Sequence, residues 1–366
     1  MNGSIDHRPD RPSPWRARYT GADGNQKSKS FKTKDRAQSW LRDQLGAMDR
    51  GEWLDPAAGR IPYREHAEQW LSGLVNIKEK TRVGYELLLR TRVLPTFGNT
   101  QVRRIDPATV RAWVAAMHQE GLSASRIRQA RQVLRASLEQ AVVDRRIARN
   151  PTAGVKVPIE QPREMRFLTA EQVRDLAEAA NRFQPGAGGL VTFLAYSGLR
   201  WSEAVALRRS AFDPLRSRIR VREAATEISG KLVHGTTKTY RTRTVVFARS
   251  VAELVASSLS PGAPDDLVFT APRGGPLRSA NFRKSVWLPA VAELAEHHPD
   301  LLGLRVHDLR HTAASLAISC GANVKAVQKM LGHKKASMTL DLYAHLYTED
   351  LEDLAERMDA RYRSVA

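Results

Sequence analysis

Two proline-bearing breaks cut this 366-residue chain into three parts. The first, G-E-W-L-D-P-A-A-G-R-I-P over 51–62, lies between two helical patterns, and the second, over 152–164, runs into P-R-E-M-R-F-L-T. Proline has no N–H and restricts the residue before it, so neither stretch continues a helix or a central strand. A chain of this length exceeds one small core, and two or three domains are its natural division. The expected parts are 1–55, 61–152 and 165–366. The expected fold class is multidomain, mainly α with small β elements.

Local patterns fill in each part. The first ten or so residues are polar and proline-flecked, a composition expected to stay disordered. W-R-A-R-Y-T from Trp15 and K-S-K-S-F from Lys27, joined by G-A-D-G-N-Q, read as two strands and a hairpin turn. A helix over 34–50 follows, with Ala37, Trp40, Leu41 and Leu45 on one side. The middle part reads as wholly helical, with helices over 63–74, 80–94, 107–120 and from Ser123 or Ser125 to about 141, then a shorter piece ending at Asn150-Pro151. Pro95 is expected to stop the second of these. Asp106 caps the third, with Pro107 where its missing N–H costs nothing. In the last part Thr169, three residues before Gln172, signals a helix N-terminus. Residues 218–221 and 242–247 read as strands with a Gly-Lys hairpin region between them, and the remainder reads as helix.

Charge narrows the partners. Lys and Arg number 58 against 39 Asp and Glu, a formal charge of +19. Such an excess works against compaction through self-repulsion and points to a polyanion. No apolar run approaches the roughly 20 residues of a membrane span, and the N-terminus lacks a signal-peptide pattern, so a nucleic-acid binder in the cytoplasm is favoured over a membrane protein. Lys27, Lys29, Lys32, Lys34 and Arg36 place a cationic run on and beside the second strand. A lysine-guarded edge strand is the plain alternative to DNA contact there. Arg126, Arg128, Arg131 and Arg135 decorate the fourth helix of the middle part, and one-signed decoration fits a phosphate-facing surface. The single cysteine, Cys320, excludes an internal disulfide or a cysteine zinc site and is expected to be a small buried core residue.

The last part carries a set of groups suited to phosphate chemistry. They are Arg200 in A-Y-S-G-L-R-W-S-E, Lys238 in T-T-K-T-Y-R-T-R-T-V, His307 and Arg310 in H-D-L-R-H-T, His333 in M-L-G-H, and Tyr343 in T-L-D-L-Y-A-H. Attack on a phosphodiester needs charge neutralised at the non-bridging oxygens, a proton acceptor, a proton donor and a nucleophile. A guanidinium matches two phosphate oxygens with its planar fork. Glu203, three residues past Arg200, can hold that fork in place. Lys231 is the alternative to Lys238, and Tyr347 the alternative to Tyr343. Surrounding arginines and histidines are expected to favour the Tyr343 phenolate. His311 shares a helix face with His307 and Arg310, which invites a metal reading, but Arg310 puts a fixed positive charge there and no H-E-x-x-H carboxylate is present. It reads as a structural, hydrogen-bonded histidine. The stretch around Gly332 also suits a helix-turn-helix, a reading that leaves Arg200, Arg310 and Tyr343 unexplained.

In this order, with His333 and Tyr343 ten residues apart, the motifs resemble those of the tyrosine recombinases, the phage-integrase family. The resemblance runs from about 15 to about 356. It implies an arm-type DNA-binding domain (small sheet plus helix) over 1–55, a four-helix core-binding domain over 61–152 and a mixed α+β catalytic domain over 165–366. It makes Arg200 and Arg310 phosphate clamps, Lys238 the general acid, His307 and His333 proton-transfer or hydrogen-bonding groups, and Tyr343 the nucleophile, with Glu203 as support. The implied activity is site-specific DNA cutting and rejoining through a 3′-phosphotyrosyl link, with no metal, cofactor or ATP, serving integration and excision of a phage or other mobile element. The implied partners are double-stranded attachment sites of core and arm type and three further copies of the chain in a tetramer. An excisionase and a DNA-bending protein are optional additions, and the implied setting is the nucleoid of a bacterial host. A chromosome-dimer recombinase, a type IB topoisomerase and a DNA-binding regulator are the rival readings.

Overall fold

The computed structural model describes residues 3–159, 164–228, 230–236, 242–347 and 351–364. Their contacts fall into two units, Met1–Pro162 and Arg163–Ala366. Among the described residues, no helix is long and apolar enough to cross a membrane.

The first unit opens with a three-stranded antiparallel sheet, β1 (Gly3–His7), β2 (Trp15–Thr20) and β3 (Gln26–Phe31), in that order. The expectation of disorder over the first ten residues is therefore corrected: Gly3–His7 pairs with β2 from end to end. Composition missed this because β1 needs little apolar surface of its own when β2 supplies the ladder bonds. Alternation along β2 sends Ala17 and Tyr19 inward, both buried, against α1 (Lys34–Asp49). Trp40 of α1 packs on Tyr19 and Phe31. The segment after α1 is not a free spacer, since Trp53 is buried and its indole N–H donates to the Tyr19 hydroxyl at 2.9 Å.

Helices α2 (Tyr63–Ser72), α3 (Glu79–Leu88), α4 (Leu94–Phe97), α5 (Pro107–Gln119) and α6 (Ala124–Val143) follow. Their core gathers Tyr63, Trp70, Phe97, Trp113, Ile127 and Leu134; each such burial contributes roughly 1.5–3 kcal/mol. The Asp106 side chain accepts from the Thr109 N–H at 2.7 Å, and Ser123 from that of Arg126, so both caps form. Pro95 does not stop its helix. A π turn over Leu89–Val93 precedes α4, and its wider bonding moves the carbonyl that the proline ring would strike. The Trp113 indole N–H donates to the Arg92 carbonyl in this disturbed turn. The same device recurs before Pro289, where a π turn spans Arg283–Trp287. Residues 144–149 form turns rather than a short helix.

The second unit begins with α7 (Ala170–Phe183), started by a reciprocal Thr169–Gln172 cap, then α8 (Ala187–Ser197) and the short α9 (Trp201–Ala204). α8 is apolar on nearly every side because helices surround it: α7, α10 (Arg249–Ser257) and α13 (Asp308–Ser319) all pack on it. Between α9 and α10 lie β4 (Phe212–Asp213), β5 (Arg218–Val221), the hairpin of β6 (Glu223–Ile228) and β7 (Lys231–Thr236), and β8 (Arg243–Val246). The sheet order is β4-β5-β8, with β6-β7 as a separate ribbon. α11 (Ser279–Phe282) and α12 (Leu288–His297) precede α13; α14 (Val324–Leu331), α15 (Ser337–Tyr343) and α16 (Leu351–Arg363) complete the unit. Cys320, at the C-terminus of α13, is exposed, not a core residue. The apolar run before it faces inward only for its first turns, and the turn at Gly321 carries the sulfur to the surface.

Candidate active site

Three chain segments meet around Arg310. It stands in the first turn of α13, and its guanidinium donates to the Gly198 carbonyl and to the Leu331 carbonyl, both at 2.6 Å. Gly198 ends α8 at φ +63, and a Cβ there would come within 2.9 Å of the Leu331 side chain. Glycine is therefore required twice, for the left-handed backbone and for the close approach. Burial, then the neighbouring Arg200, lowers the Arg310 guanidinium to about 9, so it stays charged at neutral pH.

Arg200 caps α9 directly after this turn. Its backbone N–H donates to Glu203 Oε2 and its Nη1 to Oε1, each at 3.0 Å. Glu203 is almost wholly buried and accepts two further bonds from Arg243 on β8, Nη1 to Oε1 at 2.9 Å and Nη2 to Oε2 at 2.7 Å. Burial works to raise this carboxyl, but the hydrogen bonds and charge of Arg243, with those of Arg200, outweigh it and hold it at about 2. Gly332 closes α14 at φ +68 with Arg243 packed against it, since a Cβ would meet that side chain at 2.8 Å.

Beyond Gly332, His333 is half-buried, with Nδ1 3.0 Å from the hydroxyl of buried Thr339. Burial first, then Arg310 and Arg200, lowers its imidazole to about 4. His307 caps α13 and is also lowered, by burial and then by Arg310. Tyr343 ends α15 with 1% exposure, and its hydroxyl lies 2.8 Å from Nδ1 of buried His311. Burial raises the Tyr343 hydroxyl to about 12, against a smaller lowering by Arg310. The expectation that the surroundings favour the phenolate is corrected: the nearby histidines are neutral, and desolvation outweighs one guanidinium. Tyr347 is packed beside Tyr343, and its buried hydroxyl has no hydrogen-bond partner among the described residues.

The structure thus brings Arg200, Glu203, His307, Arg310, His333 and Tyr343 into one electrostatically linked cluster. Lys238 lies outside the described residues; Lys231 is exposed at the start of β7. Two features of the cluster escaped the sequence reading. Arg243 was hidden among the arginines of T-Y-R-T-R-T-V, and only the burial of Glu203 singles it out. His311 is the buried, hydrogen-bonded histidine that the sequence leads one to expect, but its partner, Tyr343, is not legible there.

The basic residues of the first unit divide differently from the sequence run. Register places Lys29 opposite Ala17 and Lys27 opposite Tyr19, on the face that α1 covers. Lys27 is paired with Asp23 at 2.8 Å and Asp55 at 2.9 Å, and Lys29 and Lys34 lie over the rings of Phe31 and Trp15. Lys29, Lys32, Lys34 and Arg36 are exposed, and Lys27 is half-buried. The opposite sheet face carries Arg16 and Arg18, both half-buried, Arg16 donating to the Ser28 hydroxyl at 2.9 Å and Arg18 paired with Asp6 at 2.6 Å; the W-R-A-R-Y-T alternation could have revealed them. On α6, Arg128 and Arg135 are exposed and Arg126 is half-buried, while Arg131 donates to the Thr152 carbonyl at 2.9 Å.

A buried arginine-rich cluster with a tyrosine at its edge, built on these helices, defines a tyrosine recombinase, and the chain belongs to the phage integrase family. The family profile matches 166–350, and that of the phage integrase N-terminal SAM-like domain matches 63–118. The integrase of Mycobacterium phage FRAT1 is 31% identical over 339 residues, covering 88% of this chain and 97% of that protein. A structure of the Tn1549 transposon integrase with transposon right end DNA shares the fold at a TM-score of 0.69, with 21% identity over 82% of this chain and all of that one. A lambda integrase tetramer bound to a Holliday junction gives a TM-score of 0.55 at 16% identity, over 92% and 97% of the two chains.

Proposed function

We propose that Tyr343 attacks a DNA phosphodiester in line, forming a 3′-phosphotyrosyl link and releasing a 5′-hydroxyl, which a second 5′-hydroxyl then reverses to exchange strands. The observation that carries this is Arg310, which ties the Arg200 turn to the α14 end and lies in the field of Tyr343. Arg200 and Arg310 neutralise the non-bridging oxygens as the phosphorus becomes five-coordinate. Glu203 and Arg243 fix the plane of the Arg200 fork. His333 has Nδ1 engaged by Thr339, so its Nε2 is the nitrogen available to donate to a phosphate oxygen. His307, within the fields of Arg310 and Arg200, positions the same phosphate. Lys238 protonates the leaving 5′-oxygen. Charge neutralisation comes from side chains and bond energy is kept in the covalent link, so neither metal nor ATP enters the scheme.

The three-part division follows the same reading: 1–55 as arm-type DNA-binding domain, 61–152 as core-binding domain and 165–366 as catalytic domain. The SAM-like match falls inside the second of these. The lambda integrase tetramer on a Holliday junction supports a tetrameric assembly on DNA; in this reading the first domain holds arm sites, and an excisionase or a DNA-bending protein is an optional addition. Trapping on a nicked core half-site tests the reading. The native chain should form a covalent adduct that survives denaturation and is insensitive to EDTA; an adduct that needs added metal would refute it.

A further inference from the structure

The residue that touches the Tyr343 hydroxyl is His311, one position beyond Arg310 in the first turn of α13. Both side chains are buried, and the 2.8 Å separation between Nδ1 and the hydroxyl is that of a direct hydrogen bond. His307 packs edge-on to the same imidazole, with ring centroids 5.3 Å apart, yet forms no hydrogen bond to Tyr343 among the described residues. Asp308, Arg305 and Arg310 are the other charged groups that bear on His311.

We infer that His311 is a catalytic residue, taking the Tyr343 proton on Nδ1 as the phenolic oxygen bonds to phosphorus and returning it when that bond breaks. The inference rests on Tyr343 being the nucleophile. In the forward step the Tyr343 oxygen–phosphorus bond forms and the bond from phosphorus to the 5′-oxygen breaks. The phenolic proton moves to His311, giving an imidazolium, while the leaving oxygen takes its proton from the group assigned to Lys238. In the reverse step the incoming 5′-hydroxyl gives its proton to the group assigned to Lys238, left deprotonated by the forward step, its oxygen bonds to phosphorus as the tyrosine oxygen leaves, and His311 hands its proton back to that oxygen.

The 2.8 Å contact places the acceptor, and the state of each partner is consistent with the transfer. Burial raises Tyr343 far from neutrality, so the free phenolate is scarce and the proton must go to a neighbour during attack. Burial, and then His307, lowers His311 to about 4, so its ring is neutral in the resting protein, and in the tautomer protonated on Nε2 its Nδ1 accepts from the hydroxyl. An arriving phosphodiester brings negative charge to the same cluster and offsets the cost of charging the imidazole. The α13 turn therefore presents Arg310 to phosphate and His311 to the nucleophile from adjacent positions.

His311→Asn separates holding from proton transfer, because the amide oxygen can keep the hydrogen bond near the Nδ1 position but cannot take a proton. Half-site binding by gel shift should be retained, and adduct formation on the nicked half-site should slow by about 100-fold, within the range of general-base losses. Placing a fluorinated, more acidic tyrosine at position 343 should then recover at least about tenfold in the His311→Asn background, because an acidic phenol depends less on a base. His311→Asn cleaving within about threefold of the native rate would overturn the inference, as would a loss that the acidic phenol does not recover. Tyr343→Phe is run beside it. An adduct from that variant removes the nucleophile assignment itself, whereas a dead Tyr343→Phe with an unaffected His311→Asn removes only His311. Should His311→Asn fail to bind, the fluorotyrosine series in the otherwise native chain decides: a rate nearly flat with phenol acidity supports a base, and a steep rise overturns it.

Discussion

Arg243 and Glu203 meet fork to fork, at 2.9 and 2.7 Å, while the other side of the same carboxylate reaches Arg200 at 3.0 Å. One buried anion thus fixes two guanidiniums on different elements, β8 and the start of α9. Arg243 also follows Lys238 by five residues in sequence. The buried carboxylate would be costly alone, and its two partners are what make it tolerable.

Arg243→Ala is therefore expected to destabilise the second unit by roughly 3 kcal/mol, the usual cost of breaking a buried ion pair from one side. Arg243→Lys should recover only part of this, since an ammonium cannot bridge both oxygens. Urea unfolding of the full chain, followed by a probe in the second unit, reads the shift. The pH dependence has a defined sign. Glu203 is depressed from 4.5 to about 2, so its stabilisation is complete above about pH 4.5 and disappears as pH falls through about 2. Glu203→Gln should lose that acid-side slope; an unchanged slope would show that other carboxylates carry it.

Tyr343→Phe should bind a core half-site normally and form no covalent adduct, because only the attacking oxygen is removed. Tyr347→Phe should keep cleavage and leave stability unchanged or raised by up to about 1 kcal/mol, since it deletes a buried hydroxyl without a partner. A dead Tyr347→Phe with an active Tyr343→Phe would reverse the assignment of nucleophile.

Much of this was legible in the residues and some was not, for identifiable reasons. Caps at Asp106, Ser123 and Thr169 are local devices, settled within four residues, and the sequence displays them openly. Pro95 looked like a helix stop because a proline's clash is local, whereas the π turn that relieves it is supported by packing from elsewhere. Gly3–His7 became a strand through a neighbour, not through its own composition. In the site, the motif order marked the cluster, but the roles of Arg243 and His311 depend on partners 40 and 32 residues away in sequence. The raised Tyr343 hydroxyl is likewise a property of burial at 1% exposure, which no spacing of charges could announce.

Lys238→Ala should cripple cleavage of an ordinary phosphodiester yet cleave a substrate whose 5′-bridging oxygen is replaced by sulfur, which leaves without needing a proton. Equal impairment on both substrates would make Lys238 a positioning group. Lys231, exposed at the start of β7, would then be put through the same comparison.

Removing residues 1–55 should spare binding and cleavage of a core half-site while abolishing integration between full attachment sites. All the groups assigned to chemistry lie beyond Tyr196, and Arg128 and Arg135 remain exposed on α6 to hold core DNA. The face of the first unit's sheet away from α1 carries Arg16 and Arg18 against one carboxylate, that of Asp6, whereas Lys27 is matched by two, those of Asp23 and Asp55. Double substitution Arg16→Ala and Arg18→Ala should accordingly weaken arm-site binding more than Lys27→Ala does. The salt dependence should become shallower as well, by about one unit of slope for each phosphate that the protein ceases to neutralise. Holding a second DNA segment raises the local concentration of the partner site, so the full reaction should suffer even though half-site cleavage does not. Gel shifts of the full chain and of the Arg16/Arg18 variant on arm DNA, at stated salt, measure this directly. Equal binding by both proteins, with integration retained after truncation, would leave the first fifty-five residues no role in holding DNA.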